Sequence, residues 1–350
     1  MLKIGIVLTL TLLALSSRGG AEEDSQSNSL VETIPVQLEV FTGPKPKELP
    51  SPIYPRGARR AGKEGWVQVN FMISAEGKPY EVAVIHSSGS ESFERAALKT
   101  VSRWSFDPAT MNGKPIDAGA NYKIKFALSG PAAGARSSFV RYYRKLQKSI
   151  SERDQESAKE ELAALEPQNL YEDAYFHMAR YSYYKEWGSK LQQLNALLLG
   201  VAHESQANYL PKKLFMSALL SMFVLEVELQ DYAGALNTWE KLKALDLGEQ
   251  RLASLRNAVD DILVLQKDDR TYSVFGQIGA SSSWYHRLLK NRFRIDVRNG
   301  EVAEIKLRCD KKYVFFRYDP EIQYRVSDQY GECSIEVVGN PGTEFSLIQL

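Results

Sequence analysis

The sequence is poor in cysteine and histidine and carries almost no net charge. Its two cysteines, Cys309 and Cys333, make a poor metal site by themselves, and its four histidines are scattered without metal-ligand spacing. The phosphate-binding loop, the dinucleotide-binding GxGxxG motif and the GxSxG motif of serine hydrolases are absent. The formal net charge of +1 provides no basic excess for phosphate binding. We therefore expect no metal, no cofactor, no catalytic residue and no nucleic-acid partner.

Long hydrophobic runs are also missing, except for one near the N-terminus. Residues 4–15 are apolar, with Lys3 before them and the small residues Gly19, Gly20 and Ala21 after them. A membrane-spanning helix needs about 20 apolar residues, so this pattern is typical of a signal peptide over the first 21 residues. The pattern predicts export to the periplasm. The alternative is an uncleaved anchor in the inner membrane that faces the periplasm, and only then would the chain contact a membrane.

Residues 22–50 have the composition of a linker. They are acidic at first and then contain several prolines, which favours an extended backbone. Within them, apolar residues alternate from Ile34 to Val40, and this period of two indicates a strand. Pro35 cannot donate to a strand ladder, so we expect any such strand at the edge of a sheet.

Residues 51–129 predict one compact α+β unit. Pro55 suits the first turn of a short helix. Alternation over residues 67–73 predicts a half-buried strand, and a second strand follows at 80–84. A helix with one apolar face comes next, and residues 122–128 predict a third strand. The order helix, strand, strand, helix, strand indicates two helices on a three-stranded antiparallel sheet.

The rest of the chain predicts a helical region at residues 138–268 and a β region after it. Three segments are typical of the second helix of a helical hairpin, namely residues 153–167, 186–200 and 231–246. We interpret the helical region as irregular repeats like those of tetratricopeptide proteins, in which stacked helix pairs share one core.

Residues 270–350 predict a small all-β domain, either a sandwich or an open barrel. Asn299 and Gly300 form a hairpin signal between two alternating segments, and further short strands follow. Cys309 and Cys333 both lie in this region, and an even pair of cysteines in an exported chain predicts a disulfide. The expected fold is therefore a multidomain α+β protein.

A set of short motifs between residues 54 and 128 resembles the TonB C-terminal domain family. The matching segments are Tyr54-Pro55, EGWVQVNF (64–71), SSG (87–89), AAL (96–98), RWSFDPA (103–109), NGKP (112–115) and YKIKFAL (122–128). Their order and spacing make the resemblance specific. It covers residues 51–129 and leaves the helical and β regions unexplained.

The resemblance implies that the domain binds protein. Members of the family hold an extended peptide of an outer-membrane receptor against the last strand of the sheet, which is β-strand addition. Carried over to this sequence, the receiving strand covers residues 122–128. The expected partner-binding residues are Tyr54, Pro55, Asn121, Tyr122, Lys123, Ile124, Lys125 and Phe126.

The sequence departs from the energy transducers of this family in three ways. The N-terminal apolar run is short, no long proline-rich spacer follows it, and the chain continues to residue 350 beyond the domain. We therefore favour a periplasmic adaptor in envelope transport that binds an extended peptide of an envelope or outer-membrane partner. The alternative is a membrane-anchored energy transducer that couples the proton-driven motor of the inner membrane to an outer-membrane receptor.

Overall fold

The structure is a computed structural model that describes residues 40–128, 134–202, 209–245 and 248–350. The predicted signal peptide at 1–21 and most of the predicted linker, including Ile34 and its neighbours, lie outside the described residues. No helix within the described ranges is long and apolar enough to cross a membrane. The described chain is a multidomain α+β protein with three successive parts. We call them the N-terminal α/β region, the central helical region and the C-terminal β region.

The N-terminal α/β region is built on one antiparallel sheet. Its elements in chain order are β1 (Phe41–Thr42), β2 (Lys45–Glu48), α1 (Arg56–Arg60), β3 (Gly65–Ile73), β4 (Pro79–Ser87), α2 (Glu91–Val101), β5 (Ser105–Asp107), β6 (Ala109–Met111), β7 (Lys114–Ile116) and β8 (Ala118–Phe126). The main sheet has the order β4-β3-β8. The prediction of two helices and a three-stranded antiparallel sheet is confirmed.

Alternation along β3 places its apolar side chains against α2. The core that they form consists of Val67, Val69, Phe71, Ile73, Phe93, Ala97, Val101, Trp104, Phe106, Ile124 and Phe126. The prediction that β3 is half-buried is wrong, because Trp66 and Met72 on its other face are also fully buried. Other parts of the chain cover that second face, which we call the outer face of the sheet.

Part of the predicted linker belongs to the folded α/β region. β1 pairs with β6 and β2 pairs with β5, both antiparallel. Asn112 and Gly113 form the predicted turn, here between β6 and β7, with positive φ angles of 51° and 77°. Residues 41–48 thus extend the fold beyond the predicted boundary at residue 51. Strands of two to four residues are too short to leave a clear periodic pattern in the sequence.

The central helical region consists of helices packed in antiparallel pairs. They are α3 (Ser137–Ser151), α4 (Gln155–Ala163), α5 (Leu170–Trp187), α6 (Lys190–Gly200), α7 (Lys212–Glu228), α8 (Tyr232–Lys243) and α9 (Glu249–Lys267). The three segments predicted as second helices contain α4, α6 and α8. Side chains of Asp154, Asn169, Ser189 and Asp231 cap the starts of α4, α5, α6 and α8. The similarity of this region to tetratricopeptide repeats stays a prediction.

The C-terminal β region contains two four-stranded antiparallel sheets. Its strands are β9 (Tyr272–Gln277), β10 (Ser283–Arg287), β11 (Arg292–Asn299), β12 (Val302–Cys309), β13 (Tyr313–Arg317), β14 (Tyr324–Arg325), β15 (Cys333–Gly339) and β16 (Glu344–Gln349). The sheets have the orders β10-β15-β12-β13 and β14-β11-β16-β9. The predicted disulfide is confirmed, and it joins Cys309 of β12 to Cys333, the residue directly opposite on β15.

Both later regions pack against the N-terminal α/β region. The Trp66 indole N–H donates to the Asp173 carboxylate of α5 over 2.8 Å, and the Glu64 amide donates to the Gln168 carbonyl over 2.7 Å. From the β region, the Arg308 guanidinium donates to the carbonyl of Glu81 on β4. These contacts, made by β3, by the residue before it and by β4, place the other two regions against the sheet.

Candidate peptide-binding edge

Among the described residues, β8 has a strand partner on one side only. It pairs with β3 in an uninterrupted register from Gly65 opposite Phe126 to Ile73 opposite Ala118. No other strand among the described residues pairs with it. At the start of β8, the Gly119 amide donates to the Asp310 carbonyl of the β region over 3.2 Å. Beyond Gly119, the outer edge of β8 makes no main-chain hydrogen bond to any residue that the structure describes.

The direction of the Gly119 amide shows which backbone groups face this open edge. In an antiparallel ladder, successive residues direct their N–H and C=O groups alternately toward one neighbour and the other. Since the Gly119 amide points away from β3, the backbone groups of Asn121, Lys123 and Lys125 point away from it as well. These three residues therefore offer a row of donors and acceptors to an added strand.

The opposite edge of the sheet, formed by β4, is less suited to strand addition. Its pairing with β3 has two register shifts, and Glu81 adopts a positive φ of 49°. The Arg308 guanidinium also donates a hydrogen bond to the Glu81 carbonyl on that strand, so this carbonyl is not available to an added strand. Bulges and charged side chains of this kind block further pairing at sheet edges. β8 is thus the regular edge of the sheet.

The inward-facing side chains of β8 are mostly part of the core. Ile124 and Phe126 are buried, and the Phe126 ring stacks on Phe93 with centroids 4.5 Å apart. Tyr122 is 41% exposed and meets the Trp104 ring edge-on at 4.7 Å. Of these three side chains, only that of Tyr122 is exposed, whereas Ile124 and Phe126 pack in the core.

Tyr54 and Pro55 lie at the Phe126 end of the edge. The Tyr54 ring stands edge-on to Phe126 with centroids 5.9 Å apart, and its hydroxyl donates to the Lys63 carbonyl over 2.6 Å. Burial raises the pKa of Tyr54, so the hydroxyl remains a donor at neutral pH. The Pro55 carbonyl accepts from the Arg59 amide over 2.9 Å at the start of α1. Tyr54 thus packs against the core of the sheet, and Pro55 begins the first turn of α1.

On the outer face, β8 presents polar side chains to the helical region. The Lys123 ammonium lies 5.1 Å from the centre of the Trp66 ring and donates to the Ala202 carbonyl. Burial, together with the nearby Lys125 and Lys241 ammonium groups, lowers the pKa of Lys123 to about 8. These contacts make Lys123 a partly desolvated cation beside the open edge.

At the start of β8, the outer edge contacts the end of β12, where the disulfide-bonded Cys309 lies. A Cβ atom at Gly119 would stand 2.9 Å from the Cys309 carbonyl oxygen, so this position needs glycine. A small polar cavity of about 60 Å³ opens next to it, lined by Asn70 and Asn121 from the sheet and by residues around Cys309 and Cys333. The sequence prediction missed this contact, although a glycine inside a strand often marks a close backbone approach.

No group of three histidine, cysteine, aspartate or glutamate side chains that could hold a metal ion occurs in the described part of the chain. The site is instead the outer edge of a regular strand, β8. It has unpaired peptide groups, the exposed ring of Tyr122 and the two lysines Lys123 and Lys125. Such an arrangement can bind another chain through main-chain hydrogen bonds, with alternate side chains providing specificity.

The family model described as the Gram-negative bacterial TonB protein C-terminal matches residues 50–128. Residues 50–128 are a TonB C-terminal domain. The matched segment ends two residues after β8, so the open edge belongs to the last strand of the domain.

Similar proteins match over the same part of the chain. Over 80 residues, the chain is 42% identical to Protein tonB2 of Pseudomonas aeruginosa, which covers 23% of this chain and 30% of that protein. Over 79 residues, it is 34% identical to Protein TonB of Vibrio cholerae, and this match covers 23% of this chain and 32% of that protein. The solution NMR structure of the Pseudomonas aeruginosa TonB C-terminal domain has 30% identity and a TM-score of 0.24, covering 26% of this chain and 91% of that one. The chain thus spans about a third of the length of these curated relatives.

Proposed function

We propose that this chain is a periplasmic binding protein that takes up an extended peptide of an envelope or outer-membrane partner by strand addition at β8. The observation that carries the proposal is the regular register of β8, with no strand on its outer side among the described residues. The TonB domain supports it, since the resemblance to that family implies a receptor peptide at the same strand. The chain then acts as an adaptor in envelope transport and not as an enzyme.

Site-specific cross-linking in the periplasm tests the proposed edge. A photoreactive phenylalanine analogue in place of Tyr122 would stand at the open edge, and the same analogue in place of Phe315 gives a control at an exposed site of the β region. Mass spectrometry then identifies the partner and the segment attached. We expect capture of one extended segment of an envelope protein from position 122 and none of that segment from position 315.

A proline variant separates backbone pairing from side-chain contact. Lys125→Pro removes an N–H that faces the open edge, and an edge strand tolerates proline when that N–H points outward. Its matched control, Lys125→Ala, also loses the lysine side chain but keeps the N–H. We expect the proline variant to lower capture by about tenfold or more, because one hydrogen bond is lost and the ring obstructs the added strand. Equal capture by both folded variants would contradict strand addition.

The similarity to proteins named TonB favours a second candidate, a membrane-anchored energy transducer. It would couple the proton-driven motor of the inner membrane to an outer-membrane receptor. The state of the N-terminus separates the two functions. A native protein that begins near Glu22 and fractionates with the soluble periplasm supports the adaptor. A native protein that retains Met1 and fractionates with the inner membrane supports the transducer.

A further inference from the structure

Beside the outer face of β8 lies a cluster of lysines that form no ion pair with any acidic side chain that the structure describes. Lys123 and Lys125 stand two residues apart on this face, and the Lys241 ammonium of α8 is near enough to lower the pKa of Lys123. No ion pair between described residues includes any of these three ammonium groups. We call Lys123, Lys125 and Lys241 the lysine cluster.

Among the residues that the structure describes, the neighbours of the cluster do not neutralise it. Across the sheet, Lys123 stands opposite Gln68 and Lys125 stands opposite Trp66, neither of which carries charge. The acidic group that acts on Lys241 is Glu226, and burial raises the pKa of that carboxyl to about 7. The lysine cluster therefore keeps a net positive charge near neutral pH.

The cluster is partly withdrawn from water by the helical region. Lys123 and Lys125 are half-buried, and burial lowers the pKa of both. The end of α6 lies above Lys123, as the contact with the Ala202 carbonyl shows. Charge–charge attraction is stronger in such a partly desolvated place than on an open surface. An anionic group brought beside β8 would therefore be attracted more strongly here than at an ordinary exposed lysine.

An added strand would bring its own side chains into the positions beside the cluster. Side chains of neighbouring strands lie directly opposite one another on the same face, with Cβ atoms about 5 Å apart. Residues of the peptide opposite Lys123 and Lys125 would face the lysine cluster. The residue between them would point to the other face, beside Ile124 and near the exposed ring of Tyr122.

We propose that the peptide received by β8 is acidic, with carboxylate side chains at the two alternate positions opposite Lys123 and Lys125 and apolar side chains between them. This inference rests on the strand addition proposed above. The occupant is therefore a segment in which acidic and apolar residues alternate, and charge complementarity selects it from other extended peptides. Opposite charges directly across two strands stabilise the pair, and like charges there destabilise it.

Synthetic peptides test the inference on the purified full chain. The probe is an eight-residue peptide that alternates Glu with Val, and its control alternates Gln with Val. Kd values are measured by fluorescence anisotropy at low ionic strength. Two cross-strand ion pairs give an expected preference for the Glu peptide of about 2- to 30-fold in Kd. The preference should shrink in about 0.5 M salt, where screening weakens charge attraction.

Variants of the lysine cluster test whether these lysines cause the preference for the Glu peptide over the Gln peptide. We expect Lys123→Gln with Lys125→Gln to remove it, and Lys125→Gln alone to reduce it without disturbing the contact of Lys123 with α6. The matched control, Lys99→Gln with Lys114→Gln, removes two exposed lysines of the same domain that lie on α2 and β7. The control should keep the full preference. A preference that persists in the double variant of the cluster would overturn the inference.

An N-methylated Gln peptide distinguishes failure of the inference from failure of strand addition. Methyl groups on alternate amides remove the donors that an added strand needs. If the Glu and Gln peptides bind equally and methylation abolishes binding, strand addition stands and the acidic preference is wrong. If methylation has no effect, or if neither peptide binds, strand addition at β8 is wrong and the acidic preference is wrong with it.

Discussion

A buried carboxyl in the helical region gives the folded protein a pH dependence that can be calculated. Glu226 lies on α7 and is 2% exposed, and its Oε2 atom has no hydrogen-bond partner among the described residues. Burial raises the pKa of this group from its ordinary 4.5 to about 7, against the opposing effect of the nearby Thr238 hydroxyl. The folded chain therefore binds this proton more tightly than the unfolded chain does.

The direction and size of the effect follow from the two pKa values. Because the folded pKa is the higher one, the stabilising effect of the proton is fully present below pH 4.5 and is lost as the pH rises through 7. A difference of about 2.5 between the pKa values corresponds to a total of about 3.4 kcal/mol. Between about pH 5 and pH 8, the free energy of unfolding should fall by about 2.5 kcal/mol on account of this one carboxyl.

The variant Glu226→Gln isolates that contribution. The amide resembles the protonated carboxyl in shape and does not titrate. Urea unfolding of both proteins at pH 5, 6, 7 and 8 gives the difference in their free energies of unfolding, in which all other titrating groups cancel. We expect the variant to gain about 2.5 kcal/mol relative to the unmodified chain over this range.

A matched control is available two residues further along α7. Glu228 has a side chain that is 42% exposed and lies 3.2 Å from the Lys190 ammonium. Glu228→Gln should leave the pH dependence close to that of the unmodified chain, since water reaches this carboxyl and its charge carries no burial cost. Parallel pH profiles for the Glu226→Gln variant and the unmodified chain would refute the reasoning.

Two further predictions concern the stability of the fold. Replacing Cys309 and Cys333 by serine should lower the free energy of unfolding by about 3.5 kcal/mol, the chain-entropy value for a separation of 24 residues. Denaturant unfolding checks this, and a reducing agent should produce the same loss in the unmodified chain but none in the variant. Trp66→Ala should cost about 3–5 kcal/mol, because a fully buried ring at the contact with α5 is removed. A loss below about 1 kcal/mol would mean that α5 does not pack on the outer face as described.

Much of the TonB domain could be predicted from the sequence, because local patterns and motif spacing report directly on it. Alternation over residues 67–73 reflects the side of β3 that packs on α2. The Asn112-Gly113 pair marks a turn because both residues readily adopt positive φ. The choice of residues 122–128 as the receiving strand came from the resemblance to the TonB C-terminal domain family and not from the pattern of the residues.

The sequence prediction failed where contacts between regions decide the outcome. The buried Trp66 contacts a partner more than 100 residues away in the chain, as its hydrogen bond to Asp173 shows. Periodicity within one strand cannot report such partners. β9 and β10 were missed for a different reason, since glycines and serines in and around them weaken the strand pattern.

The covered outer face changes what the downstream regions contribute to binding. A peptide added to β8 would meet the TonB domain through its backbone, but its alternate side chains would face the end of α6 and Lys241 of α8. The contact between Gly119 and Asp310 would also limit how far the peptide could extend along β8. The helical region therefore forms one side of the proposed binding site, and the β region closes one end of it. If the proposed strand addition at β8 occurs, the residues beyond 128 would therefore help to determine which peptide binds there.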